Sequence, residues 1–85
     1  MMNVKVLFFA GLRESLGVAS DTVRLMPGTS TVGALRDLIV ARGAPWSVLA
    51  TMPNLRVAVN QQIVDFDAPI KAGDEVAFFP PVTGG

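Results

Sequence analysis

The 85-residue chain has no cysteine, no histidine and no tyrosine, and its charge is sparse, with seven Lys and Arg against seven Asp and Glu. Without cysteine there is no disulfide framework, thiolate nucleophile, zinc knuckle or iron–sulfur ligation. Without histidine there is no imidazole base, and a metal site would have to be built from carboxylates alone. A formal net charge of zero withholds the basic footprint with which a nucleic-acid binder displaces counterions. Long apolar runs are missing too. The longest charge-free stretch, Gly43 to Leu55, is 13 residues and is broken by Pro45 and Pro53, whereas a membrane-spanning helix needs about 20. The first residues lack the basic-then-apolar pattern of a signal peptide. The expectation is one cytoplasmic domain with neither nucleic acid nor membrane as partner, poorly equipped to be an enzyme by itself.

What is present is a core. At 51% hydrophobic, the chain has the apolar content that so short a domain needs to bury enough surface. Asn3 to Phe9 reads as a strand, with Val4, Val6 and Phe8 on one face and Lys5, Leu7 and Phe9 on the other. Leu12 to Leu16 fits one helical turn before Gly17. Asp21 to Met26 is a second strand with Val23 and Leu25 inward, ended by Pro27-Gly28. Thr31 to Arg42 is the clearest helix: Val32, Leu35, Leu38 and Ile39 recur at helical spacing, Ser30 or Thr31 caps the start, and Gly43 with Pro45 marks the end. Trp46 to Met52 reads as a short irregular helical turn at the core edge. Leu55 to Val59 alternates as a strand, and Asn60-Gln61 turns into a short strand around Gln62 to Val64. Asp65 to Asp74 is loop, with Gly73 suited to a positive φ. Glu75 to Phe79 is the final strand. One amphipathic helix across one face of a mixed sheet makes a two-layer α+β domain.

Conventional catalytic signals are thin. Asp65, Asp67, Asp74 and Glu75 could bind a hard cation or do acid–base work, but acidic residues favour turns and read here as solvated turn positions. Pro27 to Thr31 precedes a helix without the second glycine and lysine of a phosphate loop, so it reads as turn plus cap. The serines have no histidine to activate them. More informative is the face turned away from the helix, where Leu7, Phe9, Ala77 and Phe79 would gather. Either the irregular segment or a loop covers this patch, or it docks partner proteins.

The C-terminus is the sharpest feature. Phe78-Phe79-Pro80-Pro81-Val82-Thr83-Gly84-Gly85 ends a strand with two prolines and then offers two residues without side chains. Glycine makes up about 7% of average sequence, so a Gly-Gly end arises by chance about once in 200 chains. The prolines hold the next residues extended, and the glycines fit a channel too narrow for any other residue. The domain spans residues 1–79 and the tail residues 80–85. What the tail delivers is a carboxylate, inert until ATP converts it to a mixed anhydride that sulfur or an amine can attack. In a cysteine-free chain, carried sulfur must sit at that terminus as a thiocarboxylate.

With these residues the chain resembles the sulfur-carrier small subunits of molybdopterin synthase. The similarity runs through Val6-Leu7-Phe8-Phe9-Ala10, Arg13-Glu14, Thr31-Val32, Ala34-Leu35-Arg36, Ala58-Val59-Asn60-Gln61, Phe66-Asp67, Pro69 and Gly73-Asp74-Glu75-Val76-Ala77 into the tail. The resemblance implies a ubiquitin-like β-grasp. It implies that Gly85 is adenylated by a ubiquitin-activating-type enzyme and converted to a thiocarboxylate by a sulfur donor system. Pro80, Pro81, Val82, Thr83, Gly84 and Gly85 would insert into the large subunit and give sulfur to cyclic pyranopterin monophosphate, building the dithiolene of the molybdenum cofactor. Phe9, Ile63 and Phe79 match the docking surface of a heterotetrameric assembly. No resident cofactor or metal is implied, only the transient acyl-adenylate and thiocarboxylate. The connection from Ala44 to Leu55 departs from the family pattern. Other uses of such a tail remain open at this point: a carrier for thiazole synthesis, a modifier joined to lysines, or a plain interaction module.

Overall fold

Burial alternates along the strands, and that alternation decides which way the sheet faces. In β1 (Asn3–Phe8) of the computed structural model, which describes residues 3–81, Val4, Val6 and Phe8 are buried and Lys5 is exposed. The same alternation marks β5 (Glu75–Phe79), where Val76 and Phe78 are buried and their neighbours are half-buried. Between these strands come α1 (Gly11–Leu16), β2 (Ser20–Arg24), α2 (Val32–Val40), α3 (Val48–Thr51), β3 (Arg56–Val59) and β4 (Gln62–Val64). The five strands form one sheet in the order β2-β1-β5-β3-β4. β1 and β5 pair in parallel at its centre, and the other three pairings are antiparallel. A parallel pair cannot be joined by a tight turn, so the chain between them crosses the sheet, carrying α2 over one face. This is the α+β, ubiquitin-like β-grasp that the resemblance implied.

α2 is held by what it buries and by how its first turn is closed. Val32, Leu35 and Ile39 are fully enclosed against the sheet, each worth about 1.5–3 kcal/mol, which secures a nine-residue helix too short to persist alone. Thr31 Oγ1 accepts from the Ala34 amide at 3.2 Å. The amides of Val32 and Gly33 donate to the carbonyls of Ala68 and Phe66 at 3.0 and 2.8 Å. A Cβ on Gly33 would stand 3.2 Å from the Phe66 carbonyl oxygen, so glycine permits that close approach. The loop after β4 is therefore laced to the helix, with Ile70 also donating to Ser30 at 2.9 Å.

Three local expectations needed adjustment. β2 ends at Arg24 rather than Met26, because the Thr29 amide bonds the Met26 carbonyl and bends the chain; Leu25 still turns inward. α2 ends at Val40, and the amides of Arg42 and Gly43 reach back three residues in a tightened last turn. Leu38 is half-buried at the border of the stripe. The segment after α2 forms α3, with Leu49 enclosed and the Trp46 ring 5.8 Å from that of Phe8. Because Phe8 faces the helix side, this segment seals the core edge and leaves the opposite face open. No helix among the described residues is long and apolar enough to cross a membrane.

Candidate docking face and tail base

Strand alternation and register together define the face turned away from α2. Across the sheet, Leu7 pairs with Ala77, Ala77 with Ala58, and Ala58 with Ile63. Leu7, Ala77 and Ala58 sit between buried or core-packed neighbours, and Ile63 joins them by register, so the four form an outward row that is large, small, small and large. With only methyl groups at its centre, Ala77 half-buried and Ala58 8% exposed, the row is lowest between Leu7 and Ile63, a shallow trough. Ile63 is 67% exposed and Phe9, two residues beyond Leu7, 47% exposed. Phe79 is half-buried and lies opposite Arg56. At the other end of the same face Lys5 stands opposite Glu75.

The three docking residues expected from the resemblance, Phe9, Ile63 and Phe79, therefore lie on one face of the sheet. Pro80 and Pro81 follow Phe79 directly and are half-buried. The rest of the expected tail site, Val82, Thr83, Gly84 and Gly85, lies outside the described residues. Phe9 is fixed by its amide, which donates to Phe78 at 3.2 Å, and by the turn that follows, closed by the Leu12 amide on the Phe9 carbonyl at 3.1 Å. Ala10 takes φ 53° and ψ −129° at the second position of that turn, a conformation usually reserved for glycine.

The acidic residues divide in a way their composition did not show. Asp65 and Asp67 are exposed, and Asp65 Oδ1 accepts from the Asp67 amide at 3.0 Å, a self-contained turn. Asp74, expected to be solvated, is instead only 5% exposed. Its carboxylate accepts from Asn60 Nδ2 at 3.1 Å and from the Lys71 amide at 2.9 Å, with Lys71 Nζ at 3.6 Å. Asn60 returns the contact: its Oδ1 accepts from the Glu75 amide at 3.0 Å and its own amide donates to the Glu75 carbonyl at 2.8 Å. These bonds hold the Asp74 carboxyl below the ordinary carboxylate range, with the Asn60 side chain the largest cause, the Lys71 amide next, and burial opposing. The arrangement clasps the β3–β4 turn to the start of β5. No group of acidic residues able to hold a metal is found among the described residues.

The sequence reading stopped at β1 and β5 and so missed Arg56 and Ala58 as members of the outward face. The alternation of Leu55 to Val59 was the available signal, since a buried Val57 sends both neighbours outward. It needed the β3–β5 pairing to show which side they reach.

Comparison with known proteins fits this geometry. The chain is 48% identical over 82 residues to the molybdopterin synthase sulfur carrier subunit of Escherichia coli K12, covering 96% of this chain and 99% of the relative. Among solved structures it resembles SAMP1 from Haloferax volcanii, with a TM-score of 0.78, 28% identity and coverage of 98% and 99%. It also has the fold of a chain in the complex of subunits 1 and 2 of molybdopterin-converting factor from Helicobacter pylori 26695, with a TM-score of 0.67, 24% identity and coverage of 99% and 100%. The ThiS family pattern matches residues 6–85, and with the apolar face and the Gly-Gly end in view, the chain belongs to the ThiS family of ubiquitin-like β-grasp proteins.

Proposed function

We propose that the protein is the sulfur-carrier subunit of a molybdopterin synthase and acts through its C-terminal glycine. The observation that carries this reading is an open apolar face ending at Phe79, directly before Pro80-Pro81 and a Gly84-Gly85 end, in a chain with no cysteine or histidine. The match to the E. coli carrier supports it.

In this reading the Gly85 carboxylate attacks the α-phosphate of ATP on a ubiquitin-activating-type enzyme. An acyl-adenylate forms and pyrophosphate leaves. Sulfur from a donor system then attacks the acyl carbon, AMP leaves, and the terminus becomes a thiocarboxylate. The large subunit receives residues 80–85, and the carrier gives its sulfur to cyclic pyranopterin monophosphate; two such deliveries complete the dithiolene. Binding and activation groups belong to the partners, so the carrier is the non-catalytic half of a cytoplasmic heterotetramer. Phe9, Ile63 and Phe79 supply the docking contacts, and the prolines aim the tail.

The test is an intact mass after incubation with the cognate activating enzyme, ATP and a sulfide source. The expected outcome is a gain equal to replacing one oxygen with sulfur, lost when Gly85 is deleted. No gain, with an activating enzyme proven on another carrier, would refute the carrier chemistry. The likeness to SAMP1, a small archaeal modifier protein, favours a second reading as a lysine modifier. Adducts on many proteins would support that reading, and adducts confined to one synthase subunit would oppose it.

A further inference from the structure

Resting on the docking reading above, we propose that Arg56 is the charge-selecting contact of the outward face, pairing with a carboxylate that the large subunit presents beside its own apolar patch. Three cations of this chain have an acidic neighbour among the described residues, whereas Arg13, Arg24, Lys5 and Arg56 form no ion pair there; of these four, Arg56 is the one beside Phe79 and Ile63. Arg42 Nη1 holds Asp21 at 2.7 Å, and Lys71 and Arg36 lie 3.6 Å from Asp74 and Asp37. Lys5 has Glu75 opposite it in register. Arg56 is exposed and forms no ion pair among the described residues. Asp65 shares with it a groove of about 350 Å³ lined also by Leu55, Ile63 and Phe66; its Oδ1 accepts from the Asp67 amide, and it makes no ion pair with Arg56.

Position gives this free guanidinium its meaning. Arg56 faces Phe79 across the β3–β5 ladder, and it shares the groove with Ile63. A protein that covers Phe79 and Ile63 therefore strips water from Arg56 as well. A charge dehydrated without a partner is strongly unfavourable, whereas a bidentate carboxylate restores its hydrogen bonds and adds directionality. The face thus rewards an apolar partner with an acid at that place and rejects an equally apolar one without it. Since Phe79 is the last residue of β5, the same ion pair would fix the angle at which the tail enters the partner.

The test is binding of full-length carrier variants to the cognate large subunit at about 50 and about 300 mM salt, with melting followed in parallel. Arg56→Glu is expected to weaken binding about tenfold or more at low salt. Arg56→Gln should flatten the salt dependence, Arg56→Lys should keep it, and all three should melt close to the wild type. Binding of Arg56→Glu within about twofold of wild type, while Ile63→Asp abolishes it, would overturn the Arg56 proposal and leave the docking face standing. Undiminished binding by Ile63→Asp would remove the docking face, and Arg56 with it. A carrier dimer dissolved by Arg56→Glu would make a second copy, not the large subunit, the occupant.

Discussion

Asp74 keeps a charge in a place that is only 5% exposed, and does so because Asn60 and the Lys71 amide offer it donors. Asp74→Asn would turn an acceptor-only group into one that presents an NH2 to those donors, at a cost of about 2 kcal/mol. Because the folded carboxyl lies below its unfolded value, its contribution is complete above the ordinary carboxylate pKa of about 4. It fades as pH falls through the lower folded value. Denaturation midpoints of wild type and variant should therefore differ at neutral pH and converge in acid. The trough makes a different prediction. Ala77→Leu adds apolar surface where Ala77 meets Ala58, yet it fills the depression. In the proposed role, binding to the large subunit should fall about tenfold with melting little changed, as seen by calorimetry; tighter binding would show that area, not shape, governs this face. Strand alternation alone places Ala77 on the outward face, whereas nothing in the sequence announces the role of Asp74. Asp74 has the same turn setting as Asp65, and only Asn60, brought from 14 positions away, separates them.

Elements were more legible than their ends. Apolar alternation in β1 and β5 and the spacing of Val32, Leu35 and Ile39 in α2 reflect which faces are buried, and burial is what sequence pattern encodes. Ends depend on single hydrogen bonds, such as Thr29 to Met26 after β2 and Arg42 to Ile39 after α2, which no periodicity reports. The turn after β1 shows the same limit: Ala10, at φ 53° and ψ −129°, occupies a glycine position that its identity did not disclose. Ala10→Gly should relieve about 1 kcal/mol of backbone strain, beyond the entropy that glycine adds to the unfolded chain, and raise the melting temperature. A lowered midpoint would mean that the methyl group contributes packing worth more than the strain.

For the molecule as a whole, the β-grasp and the outward position of Phe9 and Phe79 followed from the sequence, while the composition of the full outward face did not. The face is assembled from β1, β3, β4 and β5, whose order in space, β1-β5-β3-β4, differs from their order in the chain. Pairing β1 with β5 closes nearly the entire chain into one loop, an arrangement that slows folding relative to local contacts. It also decides how the molecule answers to force. The strand that leads into the tail is flanked by β1 on one side and β3 on the other, and β1 runs parallel to it. A pull between the two ends of the domain, toward Asn3 on one side and Pro80 on the other, loads the β1–β5 ladder in shear. Its hydrogen bonds must then fail together instead of unzipping one at a time. In the proposed role, a partner that draws in the tail would pull on the strand held by this sheared ladder.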